Sequence, residues 1–315
     1  MGYNVEDDGS RHYRLDSESE IVSPSDGSDY RIDKIDVNMR LGFMNKIRAK
    51  YFYPVDTPDD PIKALTLNGF STPLDATDEN AREMAKMGIA SAVYDVRKHI
   101  NWKDLEFPLD SAVTGGRKML DIMQDTTGES ETVLMGHSTG GITAAHIAIA
   151  DGRVDYYLGQ GIVGIENKKM AEVYFRRRKK VIQGIVIPLI NNLAKRKDRI
   201  RVGYEYAMRS MYNPTLLARQ AIMLCNGPEI EPYFTALEAI GIPRGLMIYE
   251  NDEFFESQKQ LGIIDGNPLY GKVTVVPDAG HMHPTLSPVD DARLRVRSIY
   301  ELRDIKRAIA PNHSA

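Results

Sequence analysis

The sequence predicts a doubly wound α/β fold: a mostly parallel sheet with helices on both faces and one inserted helical segment. Three observations carry this expectation. Short apolar runs rich in strand formers alternate with stretches whose apolar residues recur at helical spacing. One such run, residues 131–135, ends abruptly in Gly136-His137-Ser138-Thr139-Gly140-Gly141, after which Ile142, Ala145, Ala148 and Ile149 begin a helical pattern. The alternation breaks down only over residues 166–230, where the composition turns strongly basic.

Taken in order, residues 1–29 carry eight acidic side chains against Arg11 and Arg14, with six serines. That composition predicts a flexible acidic tail. Ile32, Ile35 and Val37 mark a first strand and residues 47–55 a second; residues 57–61 form a turn by composition. Residues 64–67 make a short strand that opens into Asn68-Gly69-Phe70. A helix over 77–87 closes at Gly88, a strand follows over 89–96, and a helix over 109–123 leads to the run at 131–135. Further strands are expected at 156–165, 243–249 and 272–276, with a closing helix at 287–309. The expected units are therefore a tail (1–29), a core (30–165 and 231–315) and a helical cap (166–230).

Between Lys168 and Arg201 the cap segment holds twelve basic residues against Glu172 and Asp198, a net charge of +10 in a chain whose total is −4. Nothing in that total points to nucleic acid. The basic stretch, flanking apolar residues over 181–190, is a candidate contact for an acidic partner or an anionic membrane surface. A solvated face balanced by the acidic tail explains the same charges. The single cysteine, Cys225, excludes an internal disulfide and a cysteine-based zinc site. No run approaches the roughly 20 apolar residues of a membrane span, and no basic start precedes an apolar block. A cytoplasmic location is the expectation, and the oligomeric state is left open.

A serine in a tight turn between strand and helix projects its hydroxyl over the sheet edge, at a helix N-terminus that favours developing negative charge. Ser138 is therefore the candidate nucleophile; the alternative is a glycine-rich turn in which it only caps the helix. A serine hydroxyl needs a base, and the base needs an orienting group. Of seven histidines, His12 and His313 lie near the chain ends. His137 and His146 are expected to pack or to donate one structural hydrogen bond, and His99 lacks a glycine-rich turn to place it. His281 remains, in Asp278-Ala279-Gly280-His281, directly after the 272–276 strand and so at the same sheet edge as Ser138; His283 is its outward neighbour. Asp252, one short loop beyond the 243–249 strand, is the candidate acid, and Glu166 the alternative. The backbone amides of Thr139 and Phe70 are the candidate oxyanion donors. Asn68, Gly69 and His137 are candidates for lining the substrate.

The order Ser138, Asp252, His281 resembles that of the α/β-hydrolase superfamily. Gly136-His137-Ser138-Thr139-Gly140-Gly141 resembles the nucleophile elbow of monoacylglycerol lipase and lysophospholipase-like serine hydrolases. Asn68-Gly69-Phe70 is similar to their His-Gly oxyanion loop with asparagine in place of histidine, while Asp95 to Ile100 stands where their Gly-His-Gly turn would be. The resemblance implies the α/β-hydrolase fold and a serine esterase that needs no metal or organic cofactor. Its substrates would be small acyl esters, with the apolar residues at 181–190 suggesting medium-chain or acyl-glycerol groups. A thioesterase, acyltransferase or perhydrolase would use the same triad. A basic docking module without catalysis is the reading from a different class.

Overall fold

The computed structural model describes residues 6–7, 11–22, 30–41, 45–55, 61–69, 74, 77–95, 110–166, 229–252, 255–281 and 287–309. Its strands are β1 (Glu6–Asp7), β2 (Arg11–Val22), β3 (Tyr30–Leu41), β4 (Asn45–Val55), β5 (Lys63–Leu67), β6 (Ala90–Asp95), β7 (Thr132–His137), β8 (Tyr156–Gln160), β9 (Arg244–Tyr249) and β10 (Lys272–Val276). They lie in the order β1-β2-β3-β4-β6-β5-β7-β8-β9-β10. From β6 to β10 every neighbouring pair is parallel, whereas β1 to β4 form an antiparallel meander that joins β6 antiparallel through β4.

Central parallel strands are covered on both faces, so their residues are mostly apolar, with Lys63, Thr66, Thr132, His137, Gln160 and Arg244 as the buried polar exceptions. Every residue of β5, β7, β8 and β9 is buried. Strand geometry then sends alternate side chains to opposite sides. Leu65, Leu67 and Leu134 face one core, with Met119, Ile147 and Phe234; Ala64, Val133 and Met135 face the other, with Met84, Ile299 and Leu302. The helices are α1 (Asp78–Ala85), α2 (Asp110–Thr127), α3 (Gly140–Ala150), α4 (Glu231–Ala239), α5 (Ser257–Ile264) and α6 (Pro288–Ile309), and all but α5 supply residues just named. α3 is buried over most of its surface, which explains its Ala-rich and Ile-rich sequence. Lys63, at a buried position of β5, is satisfied by donating through Nζ to the Gly128 carbonyl at 2.8 Å. The register pairs Leu67 with Gly136, His137 with Gln160, Gln160 with Met247, and Tyr249 with Val276, so β5, β7, β8, β9 and β10 all end on one edge.

Two expectations need correction. Residues 11–22, inside the expected acidic tail, form β2, paired along ten residues with β3. Acidic composition masked a period of two: Tyr13, Leu15 and Ile21 alternate with His12, Arg14, Asp16, Glu18 and Glu20. The strand expected over 156–165 stops at Gln160, because Gly161 and Gly164 adopt positive φ of 49° and 90° and turn the chain away. Of the expected cap, residues 167–228 lie outside the described residues. Among the described residues no helix is long and apolar enough to cross a membrane, and no cluster of three or more His, Cys, Asp and Glu side chains could hold a metal ion.

Candidate active site

The turn between β7 and α3 is built by close packing. A Cβ on Gly140 would lie 2.2 Å from the Leu67 carbonyl oxygen, and one on Gly136 would lie 2.4 Å from the Gly141 Cα. Only glycine lets the helix start this close to the strand end. Ser138 takes φ 55°, in the left-handed region that L side chains rarely occupy. Such strain persists only where the surroundings over-determine it. Here the Ser138 N–H donates to the Gln160 carbonyl at 2.9 Å, and its own carbonyl accepts from the Gly141 N–H at 3.1 Å. Thr139, not Ser138, occupies the N-cap position of α3, and it makes no side-chain capping bond.

The loops after β9 and β10 are joined by main-chain bonds: Glu250 N–H to the Val276 carbonyl at 3.1 Å, and Asn251 N–H to the Ala279 carbonyl at 2.9 Å. That zipper brings Asp252 and His281, 29 residues apart, to a 2.8 Å hydrogen bond between Oδ2 and Nδ1. Both side chains are almost wholly buried, at 1% and 4% exposure. A carboxylate only accepts, so Nδ1 carries the proton, which makes Nε2 the nitrogen that can act as a base. The second carboxylate oxygen of Asp252 accepts from the Phe255 N–H at 2.8 Å, and the Phe255 ring meets the imidazole edge-on, with centroids 5.3 Å apart. Gly161 makes room for the pair: a Cβ there would sit 3.2 Å from His281 Nδ1 and 2.8 Å from the Tyr249 ring. Burial holds the Tyr249 phenol well above its ordinary pKa, reinforced chiefly by the nearby Asp291 carboxylate, so it stays neutral beneath this group.

Ser138, Asp252 and His281 thus emerge together from the ends of β7, β9 and β10. Glu166, the alternative acid, is elsewhere: its Oε1 accepts the Glu256 N–H at 3.0 Å, at the start of α5. Asn68 is buried and donates through Nδ2 to Thr77 Oγ1 at 2.8 Å, across the connection from β5 to α1. Through Nδ2 its side chain ties that connection. Gly69 runs against the elbow, where an added Cβ would lie 2.8 Å from Ser138 Cβ. His137, expected to pack or donate one structural hydrogen bond and also named as a candidate for lining the substrate, is 4% exposed and bonds the His281 carbonyl at 2.7 Å through Nε2. Nothing local in the sequence marks this contact, which joins residues 144 apart. Phe70, His99 and His283 lie outside the described residues.

No protein-family model matches this sequence, and no curated protein matches it either. Solved structures do resemble it in three dimensions. A bacterial membrane phospholipase A, described as a virulence factor, superposes with a TM-score of 0.55 at 15% identity, over 91% of this chain and 87% of that one. The thioesterase domain from the curacin biosynthetic pathway gives 0.51 at 14% identity, over 89% and 99%. Est1E from Butyrivibrio proteoclasticus gives 0.51 at 11%, over 87% and 99%. The strand order from β3 to β10, the strained serine between β7 and α3, and these likenesses agree: the chain has the α/β-hydrolase fold.

Proposed function

We propose that this protein is a serine hydrolase that cleaves carboxylic esters through an acyl-enzyme. The observation that carries the reading is the buried Asp252–His281 hydrogen bond, set at the sheet edge where Ser138 is held in a strained turn. His281 Nε2 takes the Ser138 proton as Oγ attacks the acyl carbonyl carbon. The carbonyl π electrons move to oxygen, and the backbone amides of Thr139 and Phe70 hold that oxyanion. Its collapse breaks the bond to the alcohol oxygen, which leaves with the proton from His281. Water then gives a proton to His281 and attacks the acyl carbon. The second collapse releases the acid and returns the proton to Ser138. Asp252 keeps the imidazole in the useful tautomer and offsets its positive charge while it is protonated. Medium-chain acyl esters are the proposed substrates, on the strength of the apolar residues at 181–190.

Labelling with a fluorophosphonate probe tests the chemistry. Wild type is expected to label and Ser138→Ala not to; equal labelling of both, or of neither, rejects it. A series of p-nitrophenyl esters of rising acyl length tests the substrate class, and a sharp preference for acetate counts against the medium-chain assignment.

A further inference from the structure

Among the described residues, hydrogen bonds hold His281 and its loop at separate points. Asp252 holds its ring at Nδ1, and the Asn251 N–H holds the loop upstream at Ala279. Neither fixes the carbonyl of His281 itself, and so neither sets the direction in which the chain leaves the imidazole. That carbonyl is engaged from the elbow, by His137 Nε2 at 2.7 Å. A carbonyl oxygen only accepts, so this bond requires the proton of His137 to sit on Nε2. The two imidazoles lie with centroids 4.8 Å apart and planes inclined by 44°. His137 is the residue immediately before Ser138.

A closed circuit results. It runs from Ser138 through one peptide bond to His137, across the Nε2–H···O=C bond to the main chain of His281, and out along the His281 side chain toward Asp252. We infer that His137 is a positioning residue, which sets the separation of nucleophile and base by clamping the His281 carbonyl from the elbow. The inference rests on the serine-hydrolase reading and assigns the second residue of the elbow a task within it. The donor matters, not the ring: glutamine places an N–H the same number of bonds from Cα, whereas phenylalanine keeps the ring volume without the donor.

The test combines kinetics with imidazole NMR on full-length protein. Nitrogen-15 spectra of wild type are expected to show His137 as the Nε2–H tautomer, with a slowly exchanging proton on His281 Nδ1. His137→Phe should lower kcat by roughly 10²-fold, the scale on which small misplacements of catalytic groups act, while KM moves far less. It should also broaden or remove the His281 Nδ1–H resonance. His137→Gln should keep that resonance and recover about a tenfold share of the rate, equivalent to one hydrogen bond. A wild-type His137 carrying its proton on Nδ1 alone overturns the inference, as does an unchanged kcat in His137→Phe or an equal fall in both variants. Should His137→Phe fail to fold, loss of the resonance in folded His137→Gln also overturns it. Fluorophosphonate labelling of wild type against Ser138→Ala reports separately on the parent reading, and the tautomer measurement decides the clamp even when no ester is turned over.

Discussion

Gly69→Ala is a perturbation of one methyl group whose effect follows from distances already given. The new Cβ would lie 2.8 Å from Ser138 Cβ and 3.2 Å from the His137 carbonyl oxygen. Carbon atoms pack at about 3.5–4.0 Å, so the β5 end and the elbow must separate by roughly 0.7–1.2 Å. Neither side yields freely. Leu67 is registered to Gly136 and Gly140 abuts the Leu67 carbonyl, so the strain is shared by main chain rather than by a movable side chain. Overpacking of this kind costs about 1–3 kcal/mol, and a displacement near 1 Å at a reacting centre costs on the order of 10²-fold in rate. Urea unfolding and p-nitrophenyl ester hydrolysis measure the two effects. Gly152→Ala is the control, since its Cβ meets no atom within 4 Å; it should leave rate and stability as they are. A Gly69→Ala enzyme with wild-type kcat and wild-type stability refutes the packing argument.

Other substitutions probe separate parts of the molecule. Asp252→Asn preserves shape but favours the wrong imidazole tautomer, and kcat should fall by about 10³–10⁴-fold in a steady-state ester assay with the circular dichroism spectrum unchanged. Arg295→Met takes from the buried Asp291 carboxylate its 2.7 Å cationic partner and leaves it the Asn80 amide, which should cost about 3 kcal/mol in urea unfolding; Asp291→Leu combined with it should recover part of the loss. Asp151 follows α3 and receives hydrogen bonds from Arg153 Nε at 2.8 Å and Nη2 at 2.7 Å, which hold its carboxyl below the usual carboxylate range. A depressed folded pKa means stability present above the unfolded value near pH 4 and lost as the pH falls through the folded one. Asp151→Asn should therefore be less stable than wild type by about 1–2 kcal/mol at pH 7, and the gap should narrow in melts run below about pH 4.

Much of this arrangement was legible in the sequence because it depends on local patterns. Short buried strands, the glycine-flanked serine and the strand-then-loop placement of Asp252 and His281 all leave signatures within a few residues. The choice between Asp252 and Glu166 was not of that kind. Both follow strands, and only the zipper between the β9 and β10 loops puts Asp252 beside the imidazole while Glu166 meets the Glu256 amide. The Asn68–Thr77 bond shows the same limit, since nothing in the sequence pairs the two side chains. β2 was legible in principle: its alternation is present, but eight acids and six serines in the first 29 residues outweighed a period of two. α5, with few apolar residues buried, left little periodicity to find.

The left-handed backbone at Ser138 also bears on the stability of the fold. Glycine adopts that conformation freely, whereas a residue with a side chain forfeits about 1 kcal/mol or more there. Glycine at this position would relieve that strain while losing more backbone entropy on folding, so the two effects oppose each other. On the serine-hydrolase reading, the hydroxyl at this position comes with a backbone strain that glycine would relieve.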